Sequence, residues 1–408
     1  MIDTSKLVAD SDFVYNGNGF SHRLASGIAT LDIALGGGIP LDGSVIEIWG
    51  EESHGKTTLS YRLCKRCTDI GGYVTWVDSE QSFDRGWAMV QGVNPEAVIT
   101  YRPPYMEKAN EIILEDIRMY KSTYLPWLVD PKWRPTSEVA DKCGIGVSKI
   151  EEIKSWMIEN APPHMIVWDS LAAAPVKTQV EGEDFAMGMA YRARLIKAFL
   201  SRYMVAVNGC EKLSMILINQ VIDNIGEMYG PAVSTPGGRG LRHSKHLSLY
   251  MKKAGSGEKD ADQFTLTDYV VIGVTKNKVT PVISSFPVIF SKSRGFLGAT
   301  SVLEYLRRVK YFRDAGSWKK FNYEKVDPET GEITVEEISF QMSNFYKLIV
   351  EQRPELFKYL CEEILKSFIE KFPNNAALQS TDIDTIVKVC LNESTAVPDE
   401  DEEKSLNS

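Results

Sequence analysis

The stretch GEESHGKTTLSYRL, residues 50–63, follows the strand-forming run VIEIW at 45–49 and leads into an apolar helical segment. Its pattern G-x-x-x-x-G-K-T allows a tight turn in which successive backbone N–H groups point at a phosphate from a helix N-terminus. Lys56 can reach β- and γ-phosphates, and the Thr57 hydroxyl suits a Mg²⁺ ligand. The pattern predicts binding of a nucleoside triphosphate with Mg²⁺; the alternative is a glycine turn with a chance lysine. The predicted cradle comprises Gly50, Glu51, Glu52, Ser53, His54, Gly55, Lys56, Thr57 and Thr58.

The composition is that of a globular protein with room for two domains. The chain has 408 residues, of which 43% are hydrophobic and 25% charged. No apolar run approaches the roughly 20 residues that a membrane-spanning helix needs, and the first residues do not form a signal peptide. Cys64-x-x-Cys67 has no second Cys or His pair to complete a zinc site. We therefore expect reduced thiols, a cytoplasmic location and no membrane partner.

The net charge of −9 excludes a uniformly basic coat for nucleic acid, although a local patch can still bind DNA. The acidic run at 399–403 predicts a disordered tail. The predicted organisation is an N-terminal arm at 1–24, a core at 25–295 with an insertion at about 121–160, a smaller C-terminal domain at 296–380 and an acidic tail at 381–408.

The core alternates apolar strand-like runs with amphipathic helices, which predicts an α/β fold. Several of the runs are apolar at consecutive positions, as is typical of a mostly parallel sheet flanked by helices on both faces. After residue 295 the pattern changes to helical segments separated by the polar turn VDPETGEIT, which predicts a smaller α/β or helical C-terminal domain. The predicted strands are SVIEIWG, GYVTWVDSE, MIVWDSLAA, LSMILINQ, HLSLYMKK, DYVVIGVTKNK and SSFPVIF.

Polar residues follow three of these strands, at the sheet edge where ligands bind in open α/β folds. Glu80 could orient or deprotonate a water that attacks the γ-phosphate, or it is only a loop acid at a helix start. Asp169 ends an apolar strand and could hold Mg²⁺ through water. Gln220 ends a buried strand, where its amide needs a polar partner such as a γ-phosphate.

A loop of about twenty residues rich in Gly, Pro and Ser follows Gln220 and carries Tyr229. An aromatic ring with nearby cations suits the gripping of a single strand of nucleic acid, whereas the alternative is a solvated flexible loop. Lys276 and Lys278 lie at alternate positions near a strand end, where they could meet phosphate in a neighbouring subunit or form a solvated edge. The cations after the loop are Arg239, Arg242, His243, Lys245 and His246.

In order and spacing these motifs resemble those of the RecA-type homologous recombinases, including the phage UvsX branch. The resemblance covers about residues 25–295 and implies a RecA-like P-loop ATPase core, and GFLGATSVLEYLRRVKYFRDAGSW resembles the start of the family's C-terminal domain. It rests on SGIATLDIALGGGIPLDGSVIEIWGEESHGKTTL, VDSEQSFDRGW, MIVWDSLAA, VEGEDFAMGMAYRAR, INQ with NIGEMYG and GGRGLR, and VTKNKVTP.

The resemblance also implies roles for single residues. Glu80 would be the catalytic acid, and Gln220 the sensor of the γ-phosphate. Asp84 and Trp87 would contact adenine, while Lys276 and Lys278 would reach across a filament interface. The DNA contacts would be Arg192, which follows the first DNA-binding loop, and Tyr229, Gly237, Gly238, Arg239, Arg242 and Lys245 in and after the second.

The implied function is an ATP-dependent recombinase that polymerises on single-stranded DNA, pairs it with double-stranded DNA and promotes strand exchange. The implied partners are DNA, further copies of the chain in a helical filament, and mediator and single-strand-binding proteins. Two other classes stay open: a RecA-fold helicase or motor that forms a closed ring, and an ATP-switched DNA-binding scaffold that scarcely hydrolyses.

The sequence departs from the family pattern in three places. Ile222 and Asn224 stand where bacterial members carry basic residues, so part of the DNA grip is expected from the cations at 239–245. Trp87 replaces a usual tyrosine. Within the insertion, Ala140, Gly144 and Ile150 have the spacing of a helix-turn-helix unit, although two ordinary amphipathic helices explain the pattern too.

Overall fold

The computed structural model describes residues 20–180, 188–223, 233–259, 265–326 and 330–394. Its strands are β1 (Arg23–Leu24), β2 (Ile39–Pro40), β3 (Ser44–Gly50), β4 (Tyr73–Asp78), β5 (Val98–Tyr101), β6 (His164–Asp169), β7 (Leu213–Gln220), β8 (Ile222–Asp223), β9 (Val233–Ser234), β10 (Leu247–Ser256), β11 (Thr267–Asn277), β12 (Ser285–Ser291), β13 (Gly295–Leu297), β14 (Arg313–Ala315), β15 (Trp318–Val326) and β16 (Ile333–Gln341).

The α-helices are α1 (Ala29–Ala34), α2 (Lys56–Asp69), α3 (Arg85–Val90), α4 (Met106–Tyr124), α5 (Ser137–Cys143), α6 (Ile150–Asn160), α7 (Lys177–Val180), α8 (Gly188–Ala206), α9 (Gly238–Ser244), α10 (Thr300–Arg308), α11 (Pro354–Lys371), α12 (Ala376–Gln379) and α13 (Ile383–Ser394). Short 3₁₀ turns occur at Pro95–Ala97, Pro126–Leu128 and Met342–Asn344, and a π-helical turn at Tyr346–Gln352. Within these ranges, no helix combines the length and apolarity that crossing a membrane requires.

Within the described residues, a nine-stranded sheet in the order β13-β12-β11-β10-β3-β7-β6-β4-β5 forms the centre of the protein. The strands from β10 to β5 are parallel, and β11, β12 and β13 extend the sheet in antiparallel pairs. Alternate residues of one strand serve the two faces: Val167 belongs to one buried apolar cluster and Ile166 to the other. This arrangement confirms the predicted fold class, because helices cover a mostly parallel sheet on both faces.

The parallel order places the carboxyl ends of β3, β4, β6 and β7 at one edge of the sheet. Helix α2 begins directly after the loop that follows β3 and packs into the larger cluster through Leu59, Leu63 and Cys64. Helices α4 and α8 cover the opposite face. The predicted functional residues at strand ends therefore converge at this edge.

The guanidinium of Arg62, on α2, joins three distant parts of the chain. It donates to the carbonyl oxygens of Ser26 at 2.7 Å, Gly27 at 3.0 Å and Phe296 at 2.6 Å. Asp32 holds the same two residues, because its carboxylate accepts from the backbone N–H groups of Ser26 and Gly27 at 2.8 and 2.9 Å. Arg62 therefore links α2 to the residues around position 26 and to Phe296 on β13.

The chain after residue 295 contains strands as well as helices, which is the α/β alternative of the prediction. Helix α10 ends at Arg308, and Lys310 adopts a left-handed φ of 58°, which stops the helix before β14. The polar turn predicted between helices instead joins β15 to β16 in an antiparallel sheet with β14. Helices α11 and α13 then pack on α1, within the larger apolar cluster.

The predicted ends of the chain also need correction. Residues 381–394 were expected in a disordered tail, but α13 occupies Ile383–Ser394 and buries Ile386 and Cys390. The acidic run at 399–403 lies outside the described residues, as do residues 1–19 of the predicted arm. Arg23 and Leu24 pair with β2 and so belong to the core.

The predicted insertion contains two short helices, α5 and α6, after the end of α4 and the 3₁₀ turn at Pro126–Leu128. Gly144 ends α5 with a left-handed φ of 69°, and Ala140 is buried between them. The first turn of α6 exposes Glu151 and Glu152, at the position from which a recognition helix would contact bases. Because these carboxylates would repel DNA phosphates, the structure favours two ordinary amphipathic helices.

Candidate nucleotide-binding site and DNA-binding segment

The phosphate loop connects β3 to α2, and its two glycines have no room for a side chain. Gly50 has φ of 153°, and a Cβ there would lie 2.2 Å from the Met251 carbonyl oxygen. Gly55 has φ of 86°, and a Cβ there would lie 2.9 Å from Cζ of Phe296. The left-handed turn at Gly55 directly precedes α2, so the N-terminal N–H groups of this helix face the loop.

A cavity of about 450 Å³ opens over the loop. The ammonium of Lys56 donates to the carbonyl oxygens of Gly50 at 3.0 Å and Glu51 at 2.6 Å, at the floor of this cavity. Burial lowers the pKa of Lys56, against the opposing influence of the nearby carboxylates. The cavity is lined by Glu52, Ser53, Gly55, Lys56, Thr57, Thr58, Glu80, Asp169, Ser170, Ile218, Gln220 and Phe290.

Asp169 and Thr57 form a pair of oxygen ligands in this cavity. The Thr57 hydroxyl donates to Oδ2 of Asp169 at 3.2 Å, while Oδ1 is buried without a partner among the described residues. Burial, followed by the charge of Glu80, raises the pKa of Asp169 to about 7. An unsatisfied carboxylate oxygen beside a threonine hydroxyl fits a hard, partly hydrated cation such as Mg²⁺.

The predicted catalytic acid and the predicted sensor are in direct contact. Oε1 of the exposed Glu80 accepts from Nε2 of Gln220 at 2.7 Å and from the Ser170 hydroxyl at 2.9 Å. The backbone N–H groups of Ser79 and Glu80 both donate to the Asp169 carbonyl oxygen. Three strand ends thus hold one carboxylate in place. Sequence reasoning missed Ser170, although a hydroxyl directly after the strand-end acid was a visible signal.

The two residues predicted to contact adenine lie close to the loop. Asp84 caps α3, since its carboxylate accepts from the Trp87 backbone N–H at 2.9 Å. The half-buried Trp87 ring packs on the larger apolar cluster and donates from Nε1 to the Thr58 hydroxyl at 3.1 Å. Of these three described residues, Thr58 alone lines the cavity. Adenine contact by Asp84 and Trp87 stays a prediction.

Two of the predicted DNA contacts have partners within the chain. Arg192, on α8, donates from Nη2 to the carbonyl oxygens of Leu171 at 2.9 Å and Ala174 at 2.8 Å, and burial lowers its pKa. The Lys245 ammonium forms an ion pair with Glu47, and its side chain is only 12% exposed. Contact of these two side chains with DNA stays a prediction, and it would require them to leave these partners.

The other predicted DNA contacts lie in and around α9. Gly237 caps this helix with φ of 107°, Gly238 begins it, and Arg242 is exposed on it. Tyr229 falls outside the described residues, and the structure does not describe the side chain of Arg239.

The two strand-end lysines have different surroundings. The ammonium of Lys276 donates to the carbonyl oxygens of Arg242 at 2.5 Å and His243 at 3.4 Å, in the last turn of α9. Burial, with the charges of Lys278 and Lys245, lowers the pKa of Lys276 to about 8. Lys278 is exposed. Lys276 therefore links the strand that bears it to the helix after the predicted second DNA loop.

Comparisons with known proteins agree with this geometry. A model of the RecA N-terminal domain matches residues 19–123 and 145–294, and the gap at 124–144 falls within the predicted insertion. The chain is 28% identical to protein RecA of Fusobacterium nucleatum over 353 residues, which cover 86% of this chain and 77% of that protein. It is 30% identical to protein RecA of Gloeobacter violaceus over 305 residues, with coverages of 74% and 69%. For protein RecA of Nostoc punctiforme the identity is 27% over 364 residues, with coverages of 88% and 83%.

Proposed function

From the premise that this chain belongs to the RecA family of recombinases, we propose that it is a DNA-dependent ATPase that polymerises on single-stranded DNA and promotes homologous pairing and strand exchange. The observation that carries this proposal is the meeting of four strand ends at one cavity. There the phosphate loop, the Thr57–Asp169 pair and the Glu80–Gln220 contact surround a space that a triphosphate could enter.

The residues present fit ATP and Mg²⁺. Lys56 and the loop N–H groups would bind the β- and γ-phosphates, and Thr57 and Asp169 would hold the metal ion. When bound, Mg²⁺ neutralises phosphate charge. Glu80 would orient the attacking water and take its proton, because the Ser170 hydroxyl and the backbone bonds from Ser79 and Glu80 to the Asp169 carbonyl oxygen hold its carboxylate at the cavity.

The contact between Gln220 and Glu80 supports coupling of hydrolysis to DNA. Gln220 begins the 220–245 segment that contains the predicted second DNA loop. A γ-phosphate that draws the Gln220 amide away from Glu80 would therefore move the start of the DNA-binding segment. The grip on DNA would come from Tyr229, Gly237, Gly238, Arg239 and Arg242, with Arg192 and Lys245 contributing if they leave their internal partners.

Assembly into a filament would bring Lys276 and Lys278 to the ATP of a neighbouring copy, where they would stabilise charge on the phosphates. Double-stranded DNA, mediator proteins and single-strand-binding proteins are the further partners proposed, in the cytoplasm. The fixed carboxylate of Glu80 favours a hydrolysing enzyme over an ATP-switched scaffold.

Two measurements test the proposal. ATP turnover should rise when single-stranded DNA is added, and electron microscopy should show open helical filaments on that DNA. If single-stranded DNA does not change the rate of ATP turnover, the proposed coupling of hydrolysis to DNA is wrong. Closed rings in place of open filaments would favour a helicase or motor. The variant Glu80→Gln serves as the control, because it should still bind ATP and DNA while turnover in both conditions falls.

A further inference from the structure

A charged side chain is buried in the strand that leads to the phosphate loop. Glu47 lies on β3, three residues before Gly50, and is 0% exposed. Its Oε1 accepts from Nδ2 of Asn219 at 3.0 Å; its Oε2 accepts from the Ser248 hydroxyl at 3.0 Å and from the Lys245 ammonium. Burying a carboxylate costs several kcal/mol unless partners of this kind compensate, so the network fixes one arrangement of these groups.

Two of these partners lie at the two ends of the 220–245 segment. Asn219 directly precedes Gln220, and its Nδ2 also donates to the Pro236 carbonyl oxygen at 3.0 Å. Lys245 directly follows α9 and caps it. Glu47 therefore holds Asn219, before the segment, and Lys245, at its end, and Asn219 in turn holds Pro236, just before α9.

The same carboxylate is rigidly connected to the nucleotide site. Strands β3 and β7 pair in parallel, with Trp49 opposite Asn219 and Gly50 opposite Gln220. The Asn219 side chain accepts from the Gln220 backbone N–H at 3.2 Å, and Gln220 in turn contacts Glu80. A displacement of Gln220 therefore acts directly on the Asn219 amide.

We propose that Glu47 is a positioning residue that couples the nucleotide site to the DNA-binding segment, through Asn219 at one end and Lys245 at the other. This inference rests on the proposed function, since it concerns how ATP and DNA bind cooperatively. With the network intact, a shift of Gln220 moves Asn219, Pro236 and α9 together. With it broken, ATP and DNA bind independently.

The measurement is the coupling ratio, defined as the affinity for a non-hydrolysable ATP analogue with a single-stranded oligonucleotide divided by the affinity without it. Typical coupling between two sites is about 5–150-fold. Asn219→Ala is compared with Ser44→Ala, because both residues are fully buried in the adjacent strands β7 and β3, but the Ser44 hydroxyl donates to the Pro40 carbonyl oxygen, outside the Glu47 network. Asn219, by contrast, donates to both Glu47 and Pro236.

We expect Asn219→Ala to reduce the coupling ratio to within about twofold of one, and Ser44→Ala to keep the wild-type ratio. The reverse ratio, oligonucleotide affinity with and without the analogue, must change by the same factor. Analogue affinity without DNA and the melting temperature show that each variant is folded. Equal ratios in the two variants would overturn the inference and leave the network a packing feature.

Lys245 gives a second test at the other end of the network. Lys245→Met should reduce the coupling ratio, and Lys245→Arg should restore it, because arginine can again pair with Glu47. If Lys245 instead only contacts DNA, Lys245→Met will weaken DNA binding equally with and without nucleotide, and the unchanged ratio would overturn the inference. A wild-type ratio of one would count against the proposed function itself, whereas coupling in wild type and in all variants would count against Glu47 alone.

Discussion

Replacing Glu80 with glutamine removes one negative charge from the nucleotide site and preserves the shape of the side chain. Oε1 of Glu80 accepts from Ser170 at 2.9 Å and from Gln220 at 2.7 Å, and a glutamine carbonyl oxygen can accept both bonds. ATP should therefore still bind. What the variant loses is the carboxylate that is proposed to orient the attacking water and take its proton.

Loss of a general base costs about 10²–10⁴-fold in rate, or about 3–5 kcal/mol in the barrier to hydrolysis. A second effect concerns the ionisation of Asp169. Burial is the main reason why the pKa of Asp169 is raised to about 7, and the charge of Glu80 is the second. Without this charge the pKa of Asp169 falls, so more of this carboxylate is ionised near neutral pH. The substitution also removes a negative charge that attracts Mg²⁺, so what we expect is that the loss of Mg²⁺ affinity on acidification occurs at lower pH in Glu80→Gln than in wild type, while hydrolysis becomes slower.

Single-turnover hydrolysis with saturating ATP measures the first effect, and Mg²⁺ titration on each side of neutral pH measures the second. Glu96→Gln is a suitable control, because it removes an exposed acid whose partner is Arg85 on the surface. Filaments of Glu80→Gln should also persist longer than those of wild type, since bound ATP is not consumed. Turnover within tenfold of wild type would refute the role given to Glu80.

Four further predictions concern other parts of the molecule. Lys56→Ala should abolish turnover and the tight DNA-bound state, because its ammonium is proposed to bind the phosphates; unchanged DNA-stimulated turnover would contradict the proposed site. Gln220→Ala should keep ATP binding and some hydrolysis without DNA, but DNA should no longer stimulate turnover and ATP should no longer tighten DNA binding. If the variant keeps both effects, the Gln220 amide is only a hydrogen-bonded polar group. Lys276, with a pKa of about 8, should react with an amine reagent near that pH ahead of lysines that titrate near their usual value of about 10.4, and assembly on DNA with an ATP analogue should protect it; equal labelling before and after assembly would exclude it from the interface. Removing the residues after Pro398 should tighten DNA binding at low salt, because the acidic tail is expected to compete with DNA phosphates for basic residues. If DNA affinity depends on salt identically in the full-length and truncated proteins, the tail does not compete with DNA.

The central strands were predictable because a strand covered on both faces must be apolar at consecutive positions. SVIEIWG and LSMILINQ show this pattern, and both lie in the middle of the sheet as β3 and β7. The C-terminal hairpin was not predictable in this way. In β16, apolar and polar residues alternate over 333–336 and again over 338–341, but the alternation changes phase at Glu336–Glu337. Ile333 and Val335 are exposed, so the pattern does not mark one continuous half-buried strand.

The residues at strand ends were predictable for a related reason, since parallel strands bring their carboxyl ends to one edge. Glu80 and Gln220 are 140 residues apart in the chain, yet they share a hydrogen bond there. The network of Glu47 was not predictable. Lys245 and Glu47 are 198 residues apart, and their contact depends on the sheet order and on where α9 ends. The one signal in the sequence was a glutamate in the middle of an apolar strand.

The bonds made by Arg62 decide where this protein can be divided. A fragment that stops at residue 295 would keep every residue assigned to nucleotide or DNA, but it would lack Phe296. That residue supplies one of three carbonyl oxygens that a buried guanidinium requires, and its ring closes the space beside Gly55. Phe296 lies on β13, an outer strand of the nine-stranded sheet, so the core extends beyond residue 295. Any protein engineered from the core alone must therefore include β13.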